Sequence, residues 1–210
     1  SSEQLNQATT QLHRHIESGD IAGVVAAVVR HGQLAYFEAL GTIDTTRAID
    51  MPDDALFRLY SMTRPITSLA AMMLWEEGKF ELTDPISKFL PEFVDQRVLQ
   101  NTDTPDLQAT VPRRGNITVE HLLTHTSGLG GRNSEMYRTE KVRLRSIPIE
   151  DMVLNAARVP LYEQPGTRWR YGISTTILGR LIEVWSGVPL DTFFEQRIFN
   201  PLGMTDTVFW

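Results

Sequence analysis

The stretch that decides the fold is FRLYSMTRPITSLAAMMLWEEGK, which runs from Phe57 to Lys79. It begins as a loop and continues as an amphipathic helix. Pro65 is tolerated only in the first turn of a helix, so the helix must begin close to Ser61, and Gly78 marks its end. The apolar positions that share one helical face are Ile66, Leu69, Ala70, Met73 and Leu74.

Ser61 and Arg64 are three residues apart, and residues at that spacing lie on the same face of a helix. A lysine in the place of the arginine would act as a general base for the serine hydroxyl. An arginine does not, because removing its proton at pH 7 costs about 7–9 kcal/mol, whereas a general base contributes about 3–5 kcal/mol. Arg64 is therefore expected to be a fixed cation. From SMTR alone, a helix-capping serine beside a surface arginine is the stronger interpretation.

A second candidate is Tyr171, which follows the turn sequence QPGTRW and precedes the predicted helix TTILGRLIEVWSG. A phenol is ionised at pH 7 at a cost of about 4 kcal/mol, far less than a guanidinium, and a nearby cation lowers that cost. Arg168 and Arg170 are close in sequence. If a phenol carries the proton, the rate is expected to be highest at alkaline pH. Taken alone, a tyrosine next to a tryptophan more commonly packs in a core.

His121 and His125 have the i, i+4 spacing of zinc ligands, but HLLTH lacks the glutamate of the HExxH pattern. We interpret both histidines as structural or capping residues, with Thr118 as the N-cap of a short helix and His121 at its third position. The chain has no cysteine and therefore no disulfide or thiolate site. No metal and no cofactor is predicted.

The charge and the hydropathy pattern exclude several classes of partner. A net charge of −6 and the absence of a basic run argue against nucleic acid, and no apolar run approaches the about 20 residues of a membrane span. The polar N-terminus has helical spacing and does not resemble a signal peptide. The compartment is left open, with the cytoplasm favoured over the periplasm.

The N-terminal region predicts a hairpin, GVVAAVVR and QLAYFEALG joined at His31 and Gly32. Helical patterns dominate after about residue 60. An isolated two-stranded hairpin is marginal in water, so the chain is short of strands, and further strands are expected from elsewhere.

Four segments in this order resemble the serine β-lactamase and penicillin-binding-protein-like superfamily, nearest to class C β-lactamases and family VIII carboxylesterases. They are LFRLYSMTRPIT, ITVEHLLTHTSGL, YEQPGTRWRYGISTTILGRLIEVWSG and FFEQRIFNPLGMTDTVF. The first begins at residue 56 and the last ends at residue 209, so the match extends over most of the chain. The resemblance implies that Ser61 is the nucleophile of an acyl-enzyme mechanism and Tyr171 its general acid/base. It places Arg64 where the family has lysine.

The resemblance implies an α/β (α+β) fold, with an antiparallel sheet flanked by helices and a mostly helical subdomain. Residues 1–52 would form a helix and the sheet hairpin, 53–186 the helical subdomain with the active-site helix, and 187–210 a return towards the sheet. The family's third motif lies in a C-terminal region that this chain does not contain. The chain is therefore expected to be the N-terminal part of one domain, completed by a C-terminal segment or a second chain.

Three functions stay open at this point. The first is a serine hydrolase for small esters or amides, with the esterase favoured because Ile173 replaces the asparagine of the Tyr-x-Asn motif of β-lactamases. The second is an inactive binding homologue, because Arg64 is a permanent cation suited to carboxylates. The third is a β-lactamase or a D-Ala-D-Ala peptidase or amidase, which would need an extracytoplasmic location.

Overall fold

The computed structural model describes residues 2–131, 134–142, 144 and 146–209. Its contacts divide the chain into two compact units, Ser1–Arg58 and Leu59–Trp210. Both contain antiparallel strands, so the class is mixed α/β, as predicted. The subdivision at residues 52 and 186 stays a prediction.

The first unit is one helix and a three-stranded antiparallel sheet in the order β1-β2-β3. The hairpin is confirmed. It turns at His31 and Gly32, which both have positive φ angles, as a two-residue hairpin loop requires. β2 is longer than predicted, because it continues past Gly41 and pairs with β3. The elements are α1 (Ser2–Glu17), β1 (Gly23–Arg30), β2 (Gln33–Asp44) and β3 (Ile49–Asp50).

The second unit is mostly helical and holds the buried core. Its helices are α2 (Thr63–Glu76), α3 (Val119–Leu123), α4 (Glu135–Thr139), α5 (Ile149–Arg158), α6 (Ser174–Ser186) and α7 (Leu190–Phe194). A short antiparallel pair is formed by β4 (Val98–Leu99) and β5 (Thr110–Val111), which the sequence patterns did not predict. None of the helices in the described ranges is both long enough and apolar enough to cross a bilayer.

Helix α2 follows the predicted stretch closely. A 3-10 turn, Tyr60–Met62, precedes it, and Gly78 ends the segment with a φ of 70°. Of the apolar positions that share one face of α2, Ala70 and Leu74 are buried, whereas 46% of Leu69 is exposed. Thr67 is buried instead, and its hydroxyl is satisfied by the Thr63 carbonyl at 3.1 Å. The buried residues of α2 are Thr67, Ala70, Ala71 and Leu74, so the buried face only partly coincides with the apolar stripe.

Two segments of the second unit run side by side and fix the approach to α6. Backbone N–H groups of residues 162, 166, 170 and 173 donate to the carbonyls of residues 128, 126, 125 and 130 at 2.8, 2.8, 2.8 and 3.2 Å. Gly172 lies so close to this neighbour that a Cβ there would overlap the Gly130 carbonyl oxygen. The backbone on both sides of residue 171 is thereby held by hydrogen bonds and close packing.

We predict that Gly172→Ala lowers the free energy of unfolding by about 1–3 kcal/mol or more, because both groups in the clash belong to the backbone. Gly131→Ala is the matched control, since its Cβ would meet the Tyr171 carbonyl oxygen at an ordinary 3.5 Å. It is expected to change stability by less than about 1 kcal/mol. Urea unfolding of both variants measures the difference, and equal stability would show that the two segments are not in close contact.

Candidate active site

Ser61 lies in the 3-10 turn immediately before α2, and its side chain is exposed. The N-cap residues of the turn and of the helix are Leu59 and Met62, and neither helix end has a side-chain cap. The interpretation of Ser61 as a capping serine is therefore wrong. Tyr60, just before it, has a φ of 47°, and a positive φ is uncommon for a bulky residue. Such a conformation costs about 1–3 kcal/mol and occurs preferentially at functional sites.

Arg64, in the first turn of α2, connects this helix to the start of α6. Its Nη1 donates to the Gly172 carbonyl and to the Thr175 hydroxyl, both at 2.9 Å. Its guanidinium carbon lies 4.1 Å from the centroid of the Tyr171 ring, within the range of a cation–π interaction. The arginine is therefore a fixed, partly buried cation, not a solvated surface residue.

Tyr171 is brought to α2 by the paired segments 125–130 and 162–173. Its neighbour Arg170, which the sequence suggested as a cation for the phenol, forms an ion pair with Glu163 and stacks on Tyr162 instead. The cation that contacts the Tyr171 ring is Arg64. The phenol of Tyr171 makes no hydrogen bond to any described residue, and the residue is 45% exposed.

Ser61, Arg64 and Tyr171 line one cavity of about 510 Å³. Its apolar wall is formed by Ile149, Leu190 and Phe209, and four threonines, Thr63, Thr67, Thr175 and Thr176, also line it. A larger, more open hollow of about 740 Å³ lies between residues 98–102 and 162–167. None of the three predicted site residues lines that hollow. We therefore assign the candidate site to the smaller cavity, where the reactive groups converge.

His125 is a neighbour of the site that the sequence interpretation treated only as structural. Its ring centroid lies 5.0 Å from that of Tyr171 and 6.2 Å from that of Trp169. Its backbone has a φ of 57°, and its buried Nδ1 has no partner among the described residues. Burial lowers the pKa of His125, and the positive charge of Arg64 lowers it further. The imidazole is therefore neutral at physiological pH.

The other residues that the sequence singled out have structural roles. Thr118 and His121 form a reciprocal capping box at the start of α3, which confirms the predicted cap. Ile173 is the N-cap residue of α6 and is 3% exposed, so its side chain belongs to the core. Within the described ranges, no group of three or more histidine, aspartate or glutamate side chains is arranged to hold a metal ion.

The family described as beta-lactamase matches residues 6–210. The chain belongs to this family. Protein Rv1367c of Mycobacterium tuberculosis is 37% identical over 98% of the chain and 51% of its own length. Esterase EstB of Burkholderia gladioli is 34% identical over 90% of the chain and 47% of its own length.

Solved structures agree with this assignment. The structure titled "EstCE1, a hydrolase with promiscuous acyltransferase activity" superimposes with a TM-score of 0.83 at 30% identity and covers 96% of this chain. This chain matches 52% of that one. The chain thus spans about half the length of the curated relatives it matches. The predicted superfamily is confirmed.

We predict that His125→Asn weakens the pH dependence of stability. The pKa of His125 is lowered from 6.5 in the folded state, so the unfolded chain binds more protons. The stability that this histidine contributes is complete above pH 6.5 and is lost as the pH falls through the lowered pKa. Asparagine is the matched replacement because it tolerates a positive φ.

The measurement is the free energy of unfolding at about pH 7.5 and about pH 5.5. The difference between the two values should be smaller in His125→Asn than in the unmodified protein. The carboxyl groups whose pKa values are lowered below 3.8, those of Asp20, Asp44 and Asp84, titrate outside this window. An unchanged difference would contradict the assigned pKa direction.

Proposed function

We propose that the chain carries the nucleophile of a serine hydrolase that acts on small esters through an acyl-enzyme at Ser61. Tyr171 is the general acid/base, and Arg64 is a fixed cation that holds the phenol in place. The observation that carries the proposal is the convergence of these three side chains on one cavity, although Tyr171 is distant in sequence from Ser61 and Arg64. The relatives named as an esterase and as a hydrolase support the same chemistry.

The reaction follows from the arrangement of the groups. The Ser61 oxygen attacks the ester carbonyl carbon, its proton passes to the phenolate form of Tyr171, and the phenol returns a proton to the leaving alkoxide. The backbone N–H of Ser61 is a candidate donor to the oxyanion. A water molecule or an alcohol then attacks the acyl group in the reverse sequence. Arg64 keeps its proton throughout and holds the Tyr171 ring at the edge of the cavity.

Esters are favoured over β-lactams and peptides because of residue 173. The Tyr-x-Asn motif of the β-lactamases that the sequence resembles has a side-chain amide at this position, whereas Ile173 supplies none and is buried in the core. The cavity beside Ser61 offers an apolar wall and hydroxyl groups. These features suit an ester with a small apolar acyl group.

A second candidate is a binding protein without turnover. The observation that favours it is that Arg64 stands at the lysine position of the family and is held by two hydrogen bonds and an aromatic ring. Arg64→Lys separates the two functions. A hydrolase should retain or gain ester turnover with lysine as an additional base, whereas a site without catalytic groups should stay inactive after the replacement.

We also propose that a further segment, in the same polypeptide or in a second one, completes the fold. The support is the exposure of apolar side chains on the hairpin, where Val29 and Leu34 are 65% and 62% exposed. The native protein should then have a mass above 23.8 kDa or co-purify with a second polypeptide. Full ester turnover by these 210 residues alone would contradict this part of the proposal.

The function is tested by hydrolysis of a short-chain p-nitrophenyl ester. Tyr171→Phe should lower kcat/KM by about 10²–10⁴-fold, the usual contribution of a general acid/base, and Ser61→Ala should abolish turnover. Tyr60→Phe is the matched control, because it removes another phenol from the same cavity and should change the rate only a few-fold. Equal effects of the two tyrosine replacements would remove Tyr171 from the mechanism.

A further inference from the structure

Arg64 carries a positive charge that no carboxylate neutralises within the described part of the chain. Its hydrogen bonds go to a carbonyl and a hydroxyl, both uncharged and both to Nη1. Its Nε and Nη2 have no hydrogen-bond partner among the described residues, and no ion pair involves it there. By contrast, Arg170 and Arg180 are both paired with glutamate.

The described residues that line the cavity supply no negative charge to balance that of Arg64. Among the described residues that line it, Arg64 is the one with a charged side chain, and no aspartate or glutamate is present. Thr63, Thr175 and Thr176 line the same cavity, together with the apolar residues Ile149 and Leu190. The charge also acts beyond the cavity, since it helps to lower the pKa of His125. A partly buried cation without a counter-charge favours an anion in the space beside it.

We propose that this cavity binds a carboxylate attached to a small apolar body, with Arg64 as its partner. The two unused donor positions of the guanidinium suit a planar carboxylate, and the threonine hydroxyls can donate to its oxygens. The apolar part of the ligand lies against the wall of Ile149, Leu190 and Phe209. This binding goes beyond the proposed hydrolysis and does not require turnover.

The carboxylate could come from two sources with the same chemistry. One is the acid released when an ester is hydrolysed at Ser61. The other is a second, free carboxylate on an intact ester, such as a half-ester of a dicarboxylic acid. The two sources differ in whether an ester with a free carboxylate binds more tightly than the corresponding diester.

The test is calorimetric binding to the full chain carrying Ser61→Ala, which excludes turnover. The probes are hexanoate against hexanamide, and monomethyl adipate against dimethyl adipate. Hexanoate should bind about 10- to 100-fold more tightly than hexanamide, the range expected for a charged hydrogen-bonded pair. The preference should decrease as sodium chloride is raised. A matching preference for monomethyl adipate identifies the half-ester source, and its absence identifies the acid product.

Two variants at residue 64, each added to Ser61→Ala, assign the effect to the guanidinium. Arg64→Gln should abolish the preference for hexanoate, and Arg64→Lys should retain part of it, because the charge remains without the planar fork. If Arg64→Gln fails to fold, the lysine variant and the salt dependence still decide. Equal affinity for hexanoate and hexanamide, no hexanoate binding at millimolar concentration, or a preference that survives in Arg64→Gln would each overturn the proposal. None of these results depends on whether Ser61 reacts with esters.

Discussion

The contact between the Arg64 guanidinium and the start of α6 is the interaction on which the candidate site depends. Arg64 donates to the Gly172 carbonyl and to the Thr175 hydroxyl, which are both more than a hundred residues further along the chain. Its guanidinium also stacks on the Tyr171 ring. A shorter or uncharged side chain would leave the Gly172 carbonyl and the Tyr171 ring without this partner. Arg64 thus connects the first turn of α2 to the start of α6.

The contact is possible only because the backbone beneath Tyr171 is fixed. The segment 162–173 donates backbone hydrogen bonds to carbonyls of the segment 125–130. Gly172 allows the two segments to approach more closely than any residue with a Cβ would permit. His125 packs against Tyr171 from one of these segments, while Arg64 contacts the same ring from α2. The Tyr171 ring therefore has one cation, Arg64, and two aromatic neighbours, His125 and Trp169.

Much of the fold follows from local sequence rules. The β-branched run before His31 and Gly32 predicted the hairpin, and Pro65 and Gly78 bounded α2 because their backbone preferences are strong. The exposure of Leu69 could not be predicted, because the buried face of α2 is chosen by its packing against α6 and not by its apolar stripe alone. The β4–β5 pair was missed because its strands have two residues each.

The sequence suggested which residues belong to the candidate site, but not which of them contact one another. The order of the four segments led us to expect Ser61, Arg64 and Tyr171 in one site, and all three line the same cavity in the structure. Arg168 and Arg170 are near Tyr171 in sequence, but local sequence could not reveal that Arg170 pairs with Glu163 and that Arg64 contacts the ring. Local sequence could not reveal the contact of His125 with Tyr171 either, since an i, i+4 pair of histidines has several ordinary explanations. The positive φ of His125, which only the structure shows, marks this residue as unusual.

The central proposal is that Ser61 is an activated nucleophile although the residue three positions after it is Arg64, which cannot act as a general base. The most direct measurement is intact-protein mass spectrometry after treatment with a serine-reactive fluorophosphonate, with Ser61→Ala as the control. The account predicts one stoichiometric adduct, located on Ser61 by peptide mapping and missing from the control. A folded, complete protein that acquires no adduct would contradict it, and the cavity would then be a binding site only.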